Sequence, residues 1–308
     1  MTTQKFTVRA VSSPLTTLLL TCTVGLVHVY AAPIITFEPA AYTGSSAGTS
    51  IAGQNGWTTP TGSASVYTYA GNSLGLSANS TGGLQFAGMS AANPSPGAGS
   101  TPAVDRMRQP LSLSSSSTWE FSYDIAALSN GPTDDTGIFN FASVPIRDGS
   151  GNIVLAQLAI WDTSNAGSTW SIEYEGSDSS GVNTFFSTPG AAWQGLAQNQ
   201  WYHLDILFNF TQNRITQESI TNLSSHSTST VAANPALFLG GGSSNPLAPA
   251  MFGATLISDV NNGSTTSVGW DNIAFTSQSA VPEPSTLIMA AGALAALVLA
   301  RRGRRLRS

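Results

Sequence analysis

The sequence predicts an all-β protein: an antiparallel β-sandwich with jelly-roll-like connections, preceded by a signal peptide and followed by a short C-terminal transmembrane helix. Three observations predict the sandwich. Apolar residues in the body alternate with period two, no stretch there has convincing helical periodicity, and clusters of Gly, Pro, Asn and Ser separate the alternating runs. The body spans residues 32–276, about 250 residues, long enough for one large core or two small ones.

At the N-terminus, Lys5 and Arg9 precede an apolar stretch over residues 15–27, and Val29-Tyr30-Ala31 offers small residues at −3 and −1. Residues 1–31 therefore read as a signal peptide cleaved after Ala31. The single cysteine, Cys22, lies inside that stretch behind Thr21, where a lipoprotein signal would place Gly or Ala. Once the signal is removed no cysteine remains, so neither a disulfide nor thiolate chemistry is available to the mature chain.

Within the body, Gly-, Ser- and Pro-rich segments at 44–62, 91–102 and 240–249 read as loops. Trp119, Phe121, Tyr123 and Ile125 alternate with Glu120, Ser122 and Asp124, the pattern of a half-buried strand. Residues 139–147 form another strand, Asp148-Gly149-Ser150-Gly151-Asn152 a hairpin turn, and residues 152–161, apolar on both faces, a strand inside a sheet. Trp170, Ile172 and Tyr174 alternate with Glu173 and Glu175. Residues 191–198 suit one or two helical turns. Tyr202, Leu204, Ile206, Phe208 and Phe210 alternate with His203, Asp205 and Leu207. Trp119, Phe121, Tyr123, Tyr202, Leu204 and Ile206 are the predicted core. The segment Trp201-Tyr202-His203-Leu204-Asp205-Ile206 and the closing strand from Val268 through Trp270-Asp271-Asn272-Ile273 to Phe275 resemble bacterial concanavalin A-like or laminin-G-like domains, which implies a two-sheet sandwich.

The C-terminus carries Val281-Pro282-Glu283-Pro284-Ser285 in a linker over residues 277–285, a charge-free apolar run over 286–300, and Arg301, Arg302, Arg304, Arg305 and Arg307 in a tail over 301–308. The prolines favour an extended segment, the run suits a membrane helix, and the arginines hold its end in the cytoplasm. Fifteen residues at about 1.5 Å rise span roughly 22 Å, short of a hydrocarbon core of about 30 Å, which argues against a permanent anchor. This order of features closely resembles the PEP-CTERM sorting signal of exopolysaccharide-producing Gram-negative bacteria. The resemblance implies a precursor anchored in the inner membrane, an exosortase-type membrane transpeptidase that removes the tail, and delivery to the cell surface or extracellular matrix.

Charge excludes one class of partner. Between residues 33 and 280 four arginines and no lysine stand against fifteen Asp and Glu, a net charge of −11. Such a surface repels phosphate backbones, so no nucleic-acid partner is expected.

Catalytic constellations are sparse. Retaining glycosidases on this architecture resemble one another in a Glu-x-Asp-x-x-Glu strand motif, which is absent. Glu120 with Asp124, and Glu173 with Glu175, share strand faces and read as solvent-facing pairs. His203 and Asp205 share a face and would suit a His-Asp pair, but no serine stands in a Gly-x-Ser-x-Gly elbow. With His226 the only other body histidine, a multi-histidine metal site is out. No cofactor is expected. Asp134, Asp135, Asp148 and Asp162 lie in or beside loops and are the candidate ligands of a structural calcium, although none completes a ligand spacing. Trp57 and Trp193 lie in expected loops; core filling or loop anchoring is the ordinary fate of such residues, and stacking on sugar rings is the functional role they would suit. Asn79, Asn209, Asn222 and Asn262 stand in Asn-x-Ser/Thr sequons of little weight in so Ser- and Thr-rich a chain. The expected protein is a non-enzymatic, exported surface or matrix component associated with exopolysaccharide or biofilm. A lectin-like carbohydrate-binding module is the first alternative and a secreted glycoside hydrolase the second.

Overall fold

Period-two alternation gives a strand one apolar and one polar face, and a run such as residues 202–209 must pair and stack to bury the first. A computed structural model describes residues 34–60, 64–92, 105–111, 113, 118–129, 141–161, 169–181, 184–234, 237–243, 246–257 and 265–278. The chain divides into two units, Met1–Ala31 and Ala32–Ser308, and every described residue belongs to the second. The expected signal peptide, transmembrane helix, sorting motif and arginine tail lie outside the described residues, as do Asp134, Asp135, Asp162 and Asn262.

Two antiparallel sheets form the sandwich. One runs, in spatial order, β14 (Ser227–Ala232), β13 (Arg214–Asn222), β12 (Tyr202–Asn209), β6 (Thr118–Ser129), β16 (Thr265–Gln278), β4 (Gln85–Ala92), β3 (Ser65–Thr68) and β2 (Thr49–Ser50), with β1 (Ile34–Ile35) paired to β16. The other runs β10 (Thr184–Ser187), β9 (Thr169–Ser177), β8 (Ile153–Trp161), β7 (Phe141–Arg147), β15 (Met251–Ile257) and β5 (Asp105–Pro110), with β11 (Leu196–Ala197) paired to β9. Among the described residues the only helical turn is a single 3-10 turn at Ala191–Trp193, and no helix is long and apolar enough to cross a membrane.

The core is the contact between the two inner faces. Tyr123, Leu204 and Trp270 from the first sheet and Trp170, Tyr174 and Phe252 from the second are all buried. Aromatic edges bind the layers: Trp170 meets Tyr202 at 5.5 Å and Phe252 meets Phe275 at 5.1 Å between ring centroids. Five of the six expected core residues are buried. The exception is Trp119, half-buried at the start of β6, where it packs on the margin of the core. On β8, Val154, Leu155 and Ala156 are all buried, as a strand flanked by β7 and β9 and covered on both faces requires.

Two bulges change the parity of the pattern. In β16 the register shifts between Asp271 and Ala274, with Asn272 in the left-handed region at φ 48°, so that Trp270 and Ile273 both face the core. In β13 the pairing shifts opposite Leu207 and Phe208, so that Ile215 and Glu218 both face it.

The outer face of the first sheet is not left to water. Residues 69–84, connecting β3 to β4, lie across it as a strap. Leu74 and Leu76 join Tyr67, Phe86, Ala126, Trp201 and Leu223 in a second, smaller apolar cluster. Trp201, on the polar side of the β12 alternation, is buried for this reason. Asn72 folds the strap on itself, its amide donating to the Tyr69 and Leu76 carbonyls and its Oδ1 accepting the Leu76 N–H. Gly269 makes room beneath: a Cβ there would lie 2.8 Å from Leu76 and 2.9 Å from both Phe86 and Trp201.

Leu204 is fully buried at the centre of the main core. Leu204→Ala is expected to cost about 2–5 kcal/mol in urea unfolding; a loss below about 1 kcal/mol would contradict this packing.

Candidate functional site

Strand register assembles a polar cluster on the outer face of the first sheet. His203 on β12 and Asp271 on β16 both stand directly opposite Asp124 on β6, and Asp205 stands opposite Ser219 on β13. Because β6 and β12 turn Tyr123 and Leu204 inward, Asp124, His203 and Asp205 share the outer face. Beneath the strap, Asp124 and Asp271 are both fully buried.

Every oxygen of the two buried acids is bonded. Asp124 Oδ1 meets His203 Nδ1 at 2.5 Å, and its Oδ2 accepts from Asn79 Nδ2, Thr81 Oγ1 and Asn272 Nδ2 at 2.6, 2.9 and 2.7 Å. Asp271 accepts the Tyr69 hydroxyl at 2.7 Å and the Asn272 N–H at 2.8 Å. The bulge in β16 sets Asp271 and Asn272 side by side on this face. Gly82 closes the lid, since a Cβ there would fall 2.6 Å from Asp271 Oδ2.

His203 binds carboxylates through both nitrogens, its Nε2 reaching Asp205 Oδ1 at 3.0 Å. Burial alone would lower its pKa, but the hydrogen bonds and charges of Asp124 and Asp205 raise it to about 10. It is an imidazolium at neutral pH. Burial would raise Asp205, and the bonds from His203 and Ser219 outweigh it and hold it below its ordinary value. Asp271 moves the other way: burial pushes it up to about 7, with Asp124 and Glu38 adding repulsion against the Tyr69 and Asn272 hydrogen bonds. Tyr69 is raised by burial and by Asp271, so it stays a donor.

This arrangement orders its groups differently from a catalytic triad. The Ser219 hydroxyl donates to Asp205 and the Thr81 hydroxyl to Asp124, so both hydroxyls meet carboxylates instead of the imidazole. A protonated imidazole between two carboxylates pins strands together and activates neither hydroxyl. Among the described residues no group of three or more His, Cys, Asp or Glu side chains is placed to hold a metal ion.

The residues expected from sequence fall elsewhere. Trp57 and Trp193 are buried, the core-filling fate, and neither offers its ring to a sugar. Their loops fold inward: Trp57 packs on Phe37 and edge-on to Phe252 and donates to the Tyr42 hydroxyl, while Trp193 packs edge-on to Tyr174. The Asp148 carboxylate accepts the Ser150 and Asn152 N–H groups and the Asn152 amide, closing its hairpin. It acts there as a turn residue, with its acceptors already engaged. The Asn209 and Asn222 side chains likewise cap turns, accepting N–H groups from Gln212 and from Ser224 and Ser225, and Asn79 is spent on Asp124.

Sequence reading missed Glu218. Opposite Ile206 in register, it is buried on the core side, and burial pushes its pKa up to about 8. A raised carboxyl favours the folded state only while protonated. The contributions of Glu218 and Asp271 are therefore complete below their ordinary values near 4 and are lost as pH rises through about 8 and about 7. That of His203 is complete below about 6.5 and lost through about 10. Stability in urea is expected to fall from pH 5 to pH 9, and Glu218→Gln with Asp271→Asn should flatten the fall below pH 8. A rise in wild-type stability over that interval would refute the assignment.

The PEP-CTERM protein-sorting motif, as a family model, matches residues 280–305. No curated protein matches the chain. Among solved structures the chain is similar to alginate lyase A1-II′, a member of polysaccharide lyase family-7, at 9% identity and TM-score 0.39 over 63% of this chain and 80% of that one. It is similar to the exolytic PL7 alginate lyase AlyA5 from Zobellia galactanivorans at 12% identity and TM-score 0.37, covering 64% and 86%. It is also similar to the CBM2 module of the Lactobacillus casei BL23 phage J-1 evolved Dit at 13% identity and TM-score 0.32, covering 72% and 92%. The assignment of a sandwich rests on the strand pairing of this chain itself, and that of its tail on the motif: residues 280–305 match the PEP-CTERM protein-sorting motif, which supports an exported protein.

Proposed function

We propose that this is a non-enzymatic surface or matrix protein, made as an inner-membrane precursor in a Gram-negative bacterium and released by an exosortase-type transpeptidase. The match of the sorting motif to residues 280–305 carries the reading. Pro282, Glu283 and Pro284 present the recognition segment, the run 286–300 holds the precursor in the membrane, and the arginines from 301 onward orient it. The body is the cargo. Its half-buried His203 and the acids around it are engaged with one another, which supports a structural role for this polar cluster.

Processing is testable in a host that carries an exosortase. The released wild type should begin near Ala32 and lack residues 286–308 by intact mass, whereas Glu283→Ala should accumulate uncut in the inner membrane. Wild type that keeps its arginine tail in the inner membrane at steady state would make the segment an ordinary anchor.

A glycan-binding reading has one observation in its favour. A depression of about 310 Å³ is lined by Ser77, Ser80, Asn199, Gln200, Trp201 and Ser224 among others, with amides and hydroxyls and no charged side chain. That lining suits a neutral saccharide. On a glycan array the released body should then retain neutral glycans in preference to uronates, and uniform silence would remove the reading.

A further inference from the structure

A bare sheet edge is a row of unpaired N–H and C=O groups, a template for another strand, and folds blunt it by shortness, charge, proline or cover. Most edges here are blunted. β1, β2 and β11 have two residues each and β10 has four. β5 carries Asp105, Arg106 and Arg108 and ends on Pro110. Its outer side is also occupied, for Thr58 exchanges backbone hydrogen bonds with Arg108 at 2.8 and 2.9 Å.

β14 has none of these devices. Ser227-Thr228-Ser229-Thr230-Val231-Ala232 pairs with β13 in unbroken register, without charge, proline or bulge. Four of its six residues are exposed. From Thr228 to Ala232 its outer backbone groups bond no other segment among the described residues. At about 3.3 Å per residue the free edge is roughly 17 Å long.

We propose that β14 pairs with β14 of a second copy of this chain, antiparallel about a two-fold axis, joining two nine-stranded sheets edge to edge. Charge selects the place. A body of net charge −11 repels its own kind, so contact between copies is least opposed where charge is absent, and residues 219–258 contain no Asp, Glu, Lys or Arg. The strand is self-complementary: an antiparallel two-fold sets small hydroxyl side chains against one another, as Thr228 Oγ1 already meets Thr221 Oγ1 at 2.8 Å across β13 and β14. A six-residue edge buries well under the roughly 1,000 Å² of a stable complex, so the pairing is weak and needs many copies close together. It does not depend on how the tail is processed.

Cys22 is the only cysteine, and it lies in the expected signal peptide, so single cysteines report cleanly on the exported chain. Ser229→Cys, Thr230→Cys and Val231→Cys are introduced singly into the exported protein and oxidised mildly at high protein concentration. At least one should form a disulfide dimer ten or more times faster than Ser73→Cys, an exposed control in the strap. Thr230→Lys, on the exposed side of the strand, should weaken the wild-type dimer at least tenfold in sedimentation equilibrium without moving the melting temperature. Cross-linking no faster in β14 than at Ser73, or a wild type that stays monomeric at millimolar concentration, overturns the proposal. So does cross-linking in cells that joins β14 only to a different protein.

Discussion

An acid buried on the outside of a sheet is the constraint on which the rest of this body depends. Asp124 points away from the main core and is nevertheless fully covered. A lone carboxylate so placed would cost several kcal/mol, and only close pairing with satisfied hydrogen bonds offsets that. The surroundings meet the requirement one by one. Register puts His203 opposite, the strap brings Asn79 and Thr81, the bulge in β16 brings Asn272, and Gly82 leaves space for the Asp271 carboxylate beneath it.

The strap is thus held by two unlike forces. Leu74 and Leu76 gain by leaving water on Phe86 and Trp201, a contact that is non-directional and tolerates small shifts. Tyr69, Asn79 and Thr81 bind particular oxygens and tolerate little. The first brings the strap down; the second fixes where it sits. The contacts are also remote in sequence, since Tyr69 and Asp271 lie 202 residues apart. Closure of this site therefore requires β3, β6, β12 and β16 to be in place together, the high contact order that slows the folding of sandwiches.

Electrostatics divide the molecule. The polar row balances its own charges, with an imidazolium set between two aspartates and a neighbouring acid that holds its proton near neutrality. The surface is left acidic, which favours solubility and keeps copies apart. Between these lies Glu218, an acid on the core side of β13 raised by burial alone. It makes alkaline pH a load on the same sheet that the polar row ties together.

The alternation of residues 119–125 and 202–208 determined the strands, their inward faces and the all-β class, because period two is a local property that survives in any sandwich. The Asp148 turn and the central strand after it were legible for the same reason. The order of features after residue 280 determined the sorting signal, since such a signal is a linear string. The polar site was not legible: His203 and Asp205 show a shared face, but Asp124 and Asp271 come from strands whose adjacency no local pattern encodes. Bulges hid Glu218, because one extra residue inverts parity and turns a position that reads as outward into the core. Trp57 and Trp193 read as loop residues and are buried, because a loop may fold either way and only the space left open by both sheets decides it. What the sequence alone determined is therefore periodic or linear. What the tertiary structure decided is which distant residues meet, and which faces the strap and the second sheet take from water.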